Sequence, residues 1–304
     1  MEDWRKNKAA FAIFMAPATF WLLLFFTIPL AIIWVYSFGE RGPQGQTELA
    51  FSLENYARAL EWIPLKILWK SLWIATVATV ICLLLGFPLA MGVAFAPKRW
   101  KNPLLLIVIL PFWTNLLIRT YAWIAILRIS GFLNFGLEWG HGTLDAGFGV
   151  IGLPDLMGEF RPLELLYNNA AVIVGLVYVN LPFLVLPLYA TLEKLDKSFL
   201  EASLDLGAGQ WRTFFSVTVP LTMPGIASGV LLAFILSLGT FLTPDLLGGT
   251  DSMMIGNLIA QEFGPSRDWP FGSALSFVLM YVTFFVLWLR ATVASRSSGV
   301  GEAG

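Results

Sequence analysis

Charge is what this 304-residue chain has least of: Asp, Glu, Lys and Arg make up 13% of it, about half the roughly one-quarter usage of a soluble domain. With 57% hydrophobic residues, that scarcity excludes an ordinary water-soluble globule. Cysteine is nearly absent as well. The single Cys82 lies within an apolar run and cannot form an intrachain disulfide, so nothing points to a stapled extracellular domain. The lone His141 has no cysteine or second histidine beside it, which argues against a metal centre. No Gly-Lys dipeptide occurs anywhere, so the chain carries no phosphate-cradling P-loop of its own.

The absence of charge is organised. Six stretches hold no Asp, Glu, Lys or Arg: Ala9–Gly39, Ser71–Pro97, Asn102–Ile118, Leu165–Leu192, Thr213–Pro244 and Phe271–Leu289. A helix needs roughly 20 mainly apolar residues to cross the hydrocarbon. All six qualify, the third by continuing past Arg119 to about Leu127, and the fold class predicted is an all-α integral membrane protein with six spans. Tryptophans near run ends, among them Trp4, Trp62, Trp69, Trp100 and Trp269, suit interfacial anchoring. The first run is too long for a signal-peptide core and is read as an uncleaved helix.

Basic residues set the orientation. Arg5, Lys6 and Lys8, then Lys98, Arg99 and Lys101 in a very short loop, then Lys194, Lys197 and Arg212, and finally Arg290 and Arg296 gather on one side. The positive-inside rule makes that side cytoplasmic, with both termini on it. The opposite loops carry acid, including Glu40, Glu48, Glu54, Glu61, Glu138, Asp145, Asp155, Glu159, Asp251 and Asp268, which suits an acidic vestibule, a docking face or ordinary solvated loops. Residues 1–8 read as a cytoplasmic segment, 9–294 as the transmembrane domain and 295–304 as a disordered tail.

Several polar residues interrupt the spans. A charge at the bilayer centre costs about 2.5–3.5 kcal/mol on insertion scales, so Arg119 is expected to face protein or water, or to snorkel to the outer interface. Asn115 shares a helical face with it, and Trp113 precedes both. Tyr178 and Asn180 accompany Pro182 and Pro187 in the fourth run, predicting a kinked helix with its polar side turned inward. Gly225-Ile-Ala-Ser-Gly229 offers a small face for close helix contact. Thr240 and Asp245 stand at the outer end of the fifth run. Beyond them Ile255, Leu258, Ile259 and Phe263 recur at helical spacing, predicting a short amphipathic helix.

One cytoplasmic stretch is amphipathic. In Glu201–Pro220, EASLDLGAGQWRTFFSVTVP, Ser198 and Glu201 have capping-box spacing, so a short helix is expected to begin at Ser198. Gly207 and Gly209 are expected to end it through positive φ, and a second helix follows from Gln210. By itself Glu201 could be an ordinary cap and Gly207 an ordinary stop. The pattern Glu-Ala-Ser, three residues, Gly207, nine residues, Val217-x-Val219-Pro220 nevertheless resembles the coupling loop of binding-protein-dependent ABC importer permeases, with Ser203, Val217 and Val219 as conservative departures. Pro111-Phe-Trp-Thr-Asn-Leu-Leu-Ile-Arg-Thr-Tyr, Glu193-Lys-Leu-Asp-Lys, Pro220-Leu-Thr-Met-Pro-Gly-Ile and Arg267-Asp-Trp-Pro-Phe-Gly resemble the spermidine/putrescine-type permeases, especially their first permease subunit.

The resemblance implies the type I importer fold, six transmembrane helices with a cytoplasmic coupling helix in loop 193–220, in a bacterial inner membrane. It implies a second permease subunit, two ATPase subunits that hold ATP and magnesium, and an extracytoplasmic solute-binding protein. No cofactor is expected in this chain, and no catalytic residue. ATPase coupling falls to Leu200, Glu201, Ala202, Leu204, Asp205 and Gly207. Leu200, Leu204 and Phe199 would supply the apolar contact, with Glu201 and Asp205 aligned beside it. Candidate pathway residues are Trp113, Asn115, Arg119, Tyr178, Asn180, Thr240 and Asp245. Thr240 stands where some polyamine-transporting relatives carry an acid, which leaves opines, amino-acid derivatives and phosphonates as alternative solutes. An ion-coupled secondary transporter is the competing class, disfavoured by the near absence of acids within the spans.

Overall fold

The computed structural model describes residues 8–42, 46–150 and 160–299. Within them, six helical stretches are long and apolar enough to cross a membrane: Phe11–Tyr36, Trp62–Ala94, Leu116–Thr143, Asn169–Glu193, Gln210–Gly239 and Trp269–Trp288. Helix is the state lipid demands of such runs, because an open chain would leave every N–H and C=O unpaired in hydrocarbon. The chain forms two compact units, one of Met1–Lys66 with Leu258–Gly304 and one of Ile67–Asn257.

The first unit opens with α1 (Lys8–Leu22), a π-helical turn over Leu23–Thr27, and α2 (Ile28–Tyr36). A small antiparallel hairpin follows, β1 (Glu40–Arg41) against β2 (Thr47–Glu48), a departure from a purely helical chain. Next comes α3 (Glu54–Ala59). Its Arg58 meets Asp268 at 3.0 Å and lies 4.2 Å from the centre of the Phe271 ring. The other oxygen of Asp268 accepts the Phe271 N–H at 3.1 Å. One buried carboxylate thus caps the last helix and holds α3 to it.

In the second unit, α4 (Trp62–Ala94), which begins in the first, runs into α5 (Lys98–Ile109), a 3-10 turn over Leu110–Trp113, α6 (Leu116–Leu127) and α7 (Phe132–Val150). Then come α8 (Asn169–Glu193), α9 (Ser198–Asp205), α10 (Gln210–Thr213), a π-helical turn over Phe214–Thr218, α11 (Val219–Gly239) and α12 (Leu242–Leu247). The chain then returns to the first unit through α13 (Ile255–Phe263), which begins in the second, and α14 (Trp269–Gly299). The core is packed by Ile74, Ala78 and Cys82 from α4, Leu176, Leu184 and Leu188 from α8, and Ala233 from α11. Gly229 of α11 lets α8 approach so closely that a Cβ there would stand 2.7 Å from the Leu184 carbonyl oxygen. Gly225 does the same against Thr191 and Pro187, so the small-residue face predicted on the fifth run is in use.

The third predicted span is not one helix. Thr114 and Asn115 are extended, with ψ of 147° and 138°, and separate α5 from α6. Pro111 lacks an N–H, and the Asn115 side chain accepts the Leu117 N–H at 2.8 Å, so it starts a new helix rather than continuing the old one. The apolar stretch found instead, Leu116–Thr143, takes in the first part of α7, a helix where the sequence placed a loop carrying Glu138 and Asp145. The helix expected at Ile255 is α13. α14 reaches Gly299, five residues into the expected tail. Trp4, Arg5, Lys6, Asp155 and Glu159 lie outside the described residues.

Candidate functional site

The cytoplasmic stretch folds as a helix–turn–helix around Gly207. Lys197 already has helical dihedrals, which moves the capping side chain back two residues from the predicted Ser198. Asp196 takes the role, its Oδ1 accepting the Ser198 N–H at 3.0 Å. The capping box is therefore not formed, and Glu201 is exposed without a cap partner. The Ser198 N–H, and after it the Ser198 hydroxyl, hold the Asp196 carboxyl below its ordinary pKa. At the other end Gly207 has φ +82°. Its N–H bonds to the Leu204 carbonyl at 2.9 Å, and the Ala208 N–H to that of Ser203 at 3.1 Å. This is a Schellman stop, whose left-handed residue is nearly always glycine. Gly209, expected to share that work, is extended at φ −70°.

The Ser203 and Thr213 hydroxyls, 3.0 Å apart, then tie α9 to α10. Between them lies a groove of about 410 Å³ lined by Phe199, Ala202, Ser203, Leu206, Ala208, Arg212 and Val217. α9, eight residues or about 12 Å long, leaves its apolar side chains uncovered. Phe199 is 55% exposed and Leu204 47%, with Ala202, Glu201 and Asp205 exposed beside them and Leu200 half-buried. Leu206, Trp211 and Phe215 are exposed as well. Sequence reasoning passed over these three, although large apolar residues in a short polar loop with nothing local to bury them were the available signal.

The candidate pathway residues divide into two sets. Trp113 stands at the break between α5 and α6, 76% exposed. Asn115 is exposed too, and no hydrogen bond from the described residues reaches the carbonyls of Phe112, Trp113 or Thr114. Arg119, one turn into α6, is half-buried, and its buried Nε has no partner among the described residues. Because Asn115 caps rather than joins α6, it and Arg119 do not share a continuous helix face. Asp245, in the first turn of α12, is exposed. The remaining three have partners within the chain, although only Asn180 of them is buried. Asn180 is buried and donates to Ser237 of α11 at 2.8 Å. The Tyr178 ring packs edge-on against Trp123, with centroids 5.6 Å apart, and the Thr240 hydroxyl returns to the Leu236 carbonyl at 2.7 Å. No group of residues among those described could hold a metal ion, and His141 instead packs against Phe160.

These features can be set against known proteins. The family model for the binding-protein-dependent transport system inner membrane component matches residues 83–298. The spermidine/putrescine transport system permease protein PotB of Escherichia coli is 42% identical over 279 residues, covering 91% of this chain and 96% of that protein. The Haemophilus influenzae protein of the same name is 40% identical over 279 residues, covering 91% and 92%. Among solved structures, a bacterial alginate ABC transporter in complex with its alginate pentasaccharide-bound periplasmic protein aligns with a TM-score of 0.70 at 15% identity, over 97% of this chain and 98% of that one, a likeness of fold alone. An ion-coupled secondary transporter is thereby set aside. A chain with six membrane-length helical stretches among its described residues and an uncovered α9 ended at Gly207, matched by this family over most of its length, belongs to the binding-protein-dependent transport system inner membrane components, the multi-pass permease subunits of ABC importers.

Proposed function

We propose that this permease imports a polyamine, spermidine or putrescine, by alternating access driven from outside the chain. The observation that carries the reading is α9, a capped and Schellman-stopped helix whose apolar side is left exposed by the described residues of its own chain. Such a surface needs a protein partner. In the proposed complex that partner is one of two ATPase subunits, which hold the ATP and magnesium that this chain has no P-loop to bind. A second, different permease chain and an extracytoplasmic solute-binding protein complete it. The polyamine reading is supported by relatives at 40% identity and above that carry that substrate in their names.

Both termini lie in the cytoplasm in this topology. α5 and α6 together make the third crossing, because 104–127 contains only Arg119, whereas 116–143 also holds Arg128 and Glu138. The unpaired backbone at the Thr114–Asn115 break then lies at membrane depth, where it is tolerated only against protein or water. Trp113, Asn115 and Arg119 accordingly face the pathway or the second permease, and Asp245 stands at its outer end. Tyr178, Asn180 and Thr240 serve the fold that holds it.

The test is the complex reconstituted in proteoliposomes, with spermidine uptake and ATP hydrolysis measured together. A side chain at φ +82° meets a left-handed penalty of about 1–2 kcal/mol. Gly207→Asp is therefore expected to abolish solute-stimulated hydrolysis and uptake while the permease inserts normally; full stimulation in that complex would sink the coupling assignment. Asp245→Asn should lower spermidine uptake more than it lowers assembly, and unchanged kinetics would remove Asp245 from the pathway. A second reading, an anionic or zwitterionic solute such as an opine, amino-acid derivative or phosphonate, is favoured by the buried Arg119 Nε, which has no partner among the described residues. Competition by such a solute, with none by spermidine, would select it.

A further inference from the structure

The segment Glu193-Lys-Leu-Asp-Lys joins α8 to α9, and its charged residues bind in three directions. Lys101 of α5 donates to Glu193 Oε1 at 3.3 Å, and the Tyr189 hydroxyl contacts the same carboxylate. Asp196 caps α9. The Lys197 ammonium lies 5.8 Å from the centre of the Phe95 ring, in the turn between α4 and α5. One pentapeptide therefore holds the start of α9, the end of α8 and the α4–α5 turn together.

We infer that Glu193, Lys101 and Lys197 are positioning residues that form a strap. Through it a displacement of α9 moves α5 and works the break at Thr114–Asn115. The inference rests on the reading of α9 as the ATPase-coupled element. Its physical basis is continuity: α5 is a helix from Lys98 to Ile109, and Leu104, Leu105 and Val108 seat its far half against the core. Beyond it the chain is extended at Thr114 and Asn115. A pull applied at Lys101 is thus carried along a rigid rod to the first backbone without helical hydrogen bonds, the place where a φ/ψ change costs least. α8 and α11 cannot serve alike, because Gly225 and Gly229 lock them together at backbone contact. Two of the strap's bonds are ionic or cation–π at a water-exposed end, strong enough to transmit register and weak enough to be remade in each cycle.

The experiment uses the reconstituted complex with Lys101→Glu, Glu193→Gln, and the exchanged pair Lys101→Glu with Glu193→Lys. Each readout compares spermidine uptake per ATP hydrolysed, basal hydrolysis and assembly. The single variants are expected to lower uptake per ATP by about two- to five-fold, as for an exposed ion pair, with basal hydrolysis and assembly intact. The exchanged pair should restore it. Spin labels on exposed Ser198 and Trp100, in a Cys82→Ala background, should keep a constant separation through the nucleotide cycle in the parent and a changing one in Glu193→Gln. Unchanged uptake per ATP in both single variants, failure of the exchange to restore it, or a separation insensitive to Glu193→Gln would overturn the strap. Gly207→Asp separates the two ideas: if it abolishes stimulation while the strap variants behave as the parent, the coupling assignment stands and the strap falls.

Discussion

The Phe11–Tyr36 and Asn169–Glu193 stretches are almost equally apolar, yet no residue in the most apolar window of the first is buried in the protein, against more than half in the second. Composition therefore says that a segment enters lipid, and something else says what it touches there. In α8 that something is the matching surface of α11. Gly225 and Gly229 remove the side chains that would hold the backbones apart, and Asn180 meets Ser237 across the gap. α1, α2 and the turn between them instead expose large side chains, Phe14, Phe20, Trp21, Phe25 and Phe26 among them. Lipid tails are as apolar as leucine, so where no facing helix of the described chain makes close contact or a polar tie, hydrophobicity alone does not draw a window inward.

The sharpest way to break this contrast is to fill the contact. A Cβ at Gly229 would sit 2.7 Å from a backbone oxygen that no rotamer change can move. Gly229→Ala is expected to cost about 1–3 kcal/mol through overpacking, and Gly229→Leu to prevent stable folding. Phe20→Ala, which removes far more volume from the first stretch, should leave the thermal midpoint of the detergent-solubilised protein nearly unchanged. A larger loss in Phe20→Ala than in Gly229→Ala would mean that the uncovered stretch is packed after all. A smaller effect is expected from cutting the polar tie. Asn180→Leu gives up one interhelical bond worth about 0.6–2 kcal/mol in a membrane, and the Ser237 hydroxyl can return to a carbonyl of its own helix, so the loss should fall at the low end. A midpoint shift equal to that of Gly229→Ala would give Asn180 a larger role than one bond.

What the sequence disclosed follows the same division. Charge-free runs located five of the six membrane-length stretches because lipid imposes one uniform demand on them, and Gly207 announced its turn because few other residues accept φ +82°. The Gly225–Gly229 face was visible for a related reason, since close contact admits almost nothing larger. Features settled by one residue's competition with its neighbours were harder to see. Asp196 displaced Ser198 as the cap because Lys197 had already turned helical, and Asn115 ended one helix by starting another inside a run whose composition is uniform. Of the seven pathway candidates, Asn180 bonds to Ser237, Tyr178 packs on Trp123 and Thr240 returns to the Leu236 carbonyl. A polar side chain in a span looks the same in sequence whether it meets a solute or a facing helix.

The finest effect expected concerns the opposite cost of burial, outside the membrane. Glu262 of α13 has its pKa raised, first by burial and then by the neighbouring Asp268 carboxylate, while the Ser266 hydroxyl, Arg58 and Arg41 pull the other way. A carboxyl raised in the folded state prefers to be protonated there. Below the ordinary glutamate value of about 4.3 both folded and unfolded chains hold the proton, and the group costs nothing. As pH rises through that value the unfolded chain ionises first, so the folded state loses stability until the raised folded value is passed, and the loss then persists at neutral pH. Glu262→Gln keeps the shape and removes the charge. It should raise the thermal midpoint at pH 7, with the gain shrinking to nothing by about pH 4. Midpoints measured across that range decide the matter: a variant less stable than the parent at pH 7, with the difference fading in acid, would mean that Arg58 and Arg41 outweigh burial and that Glu262 is held as an ion pair.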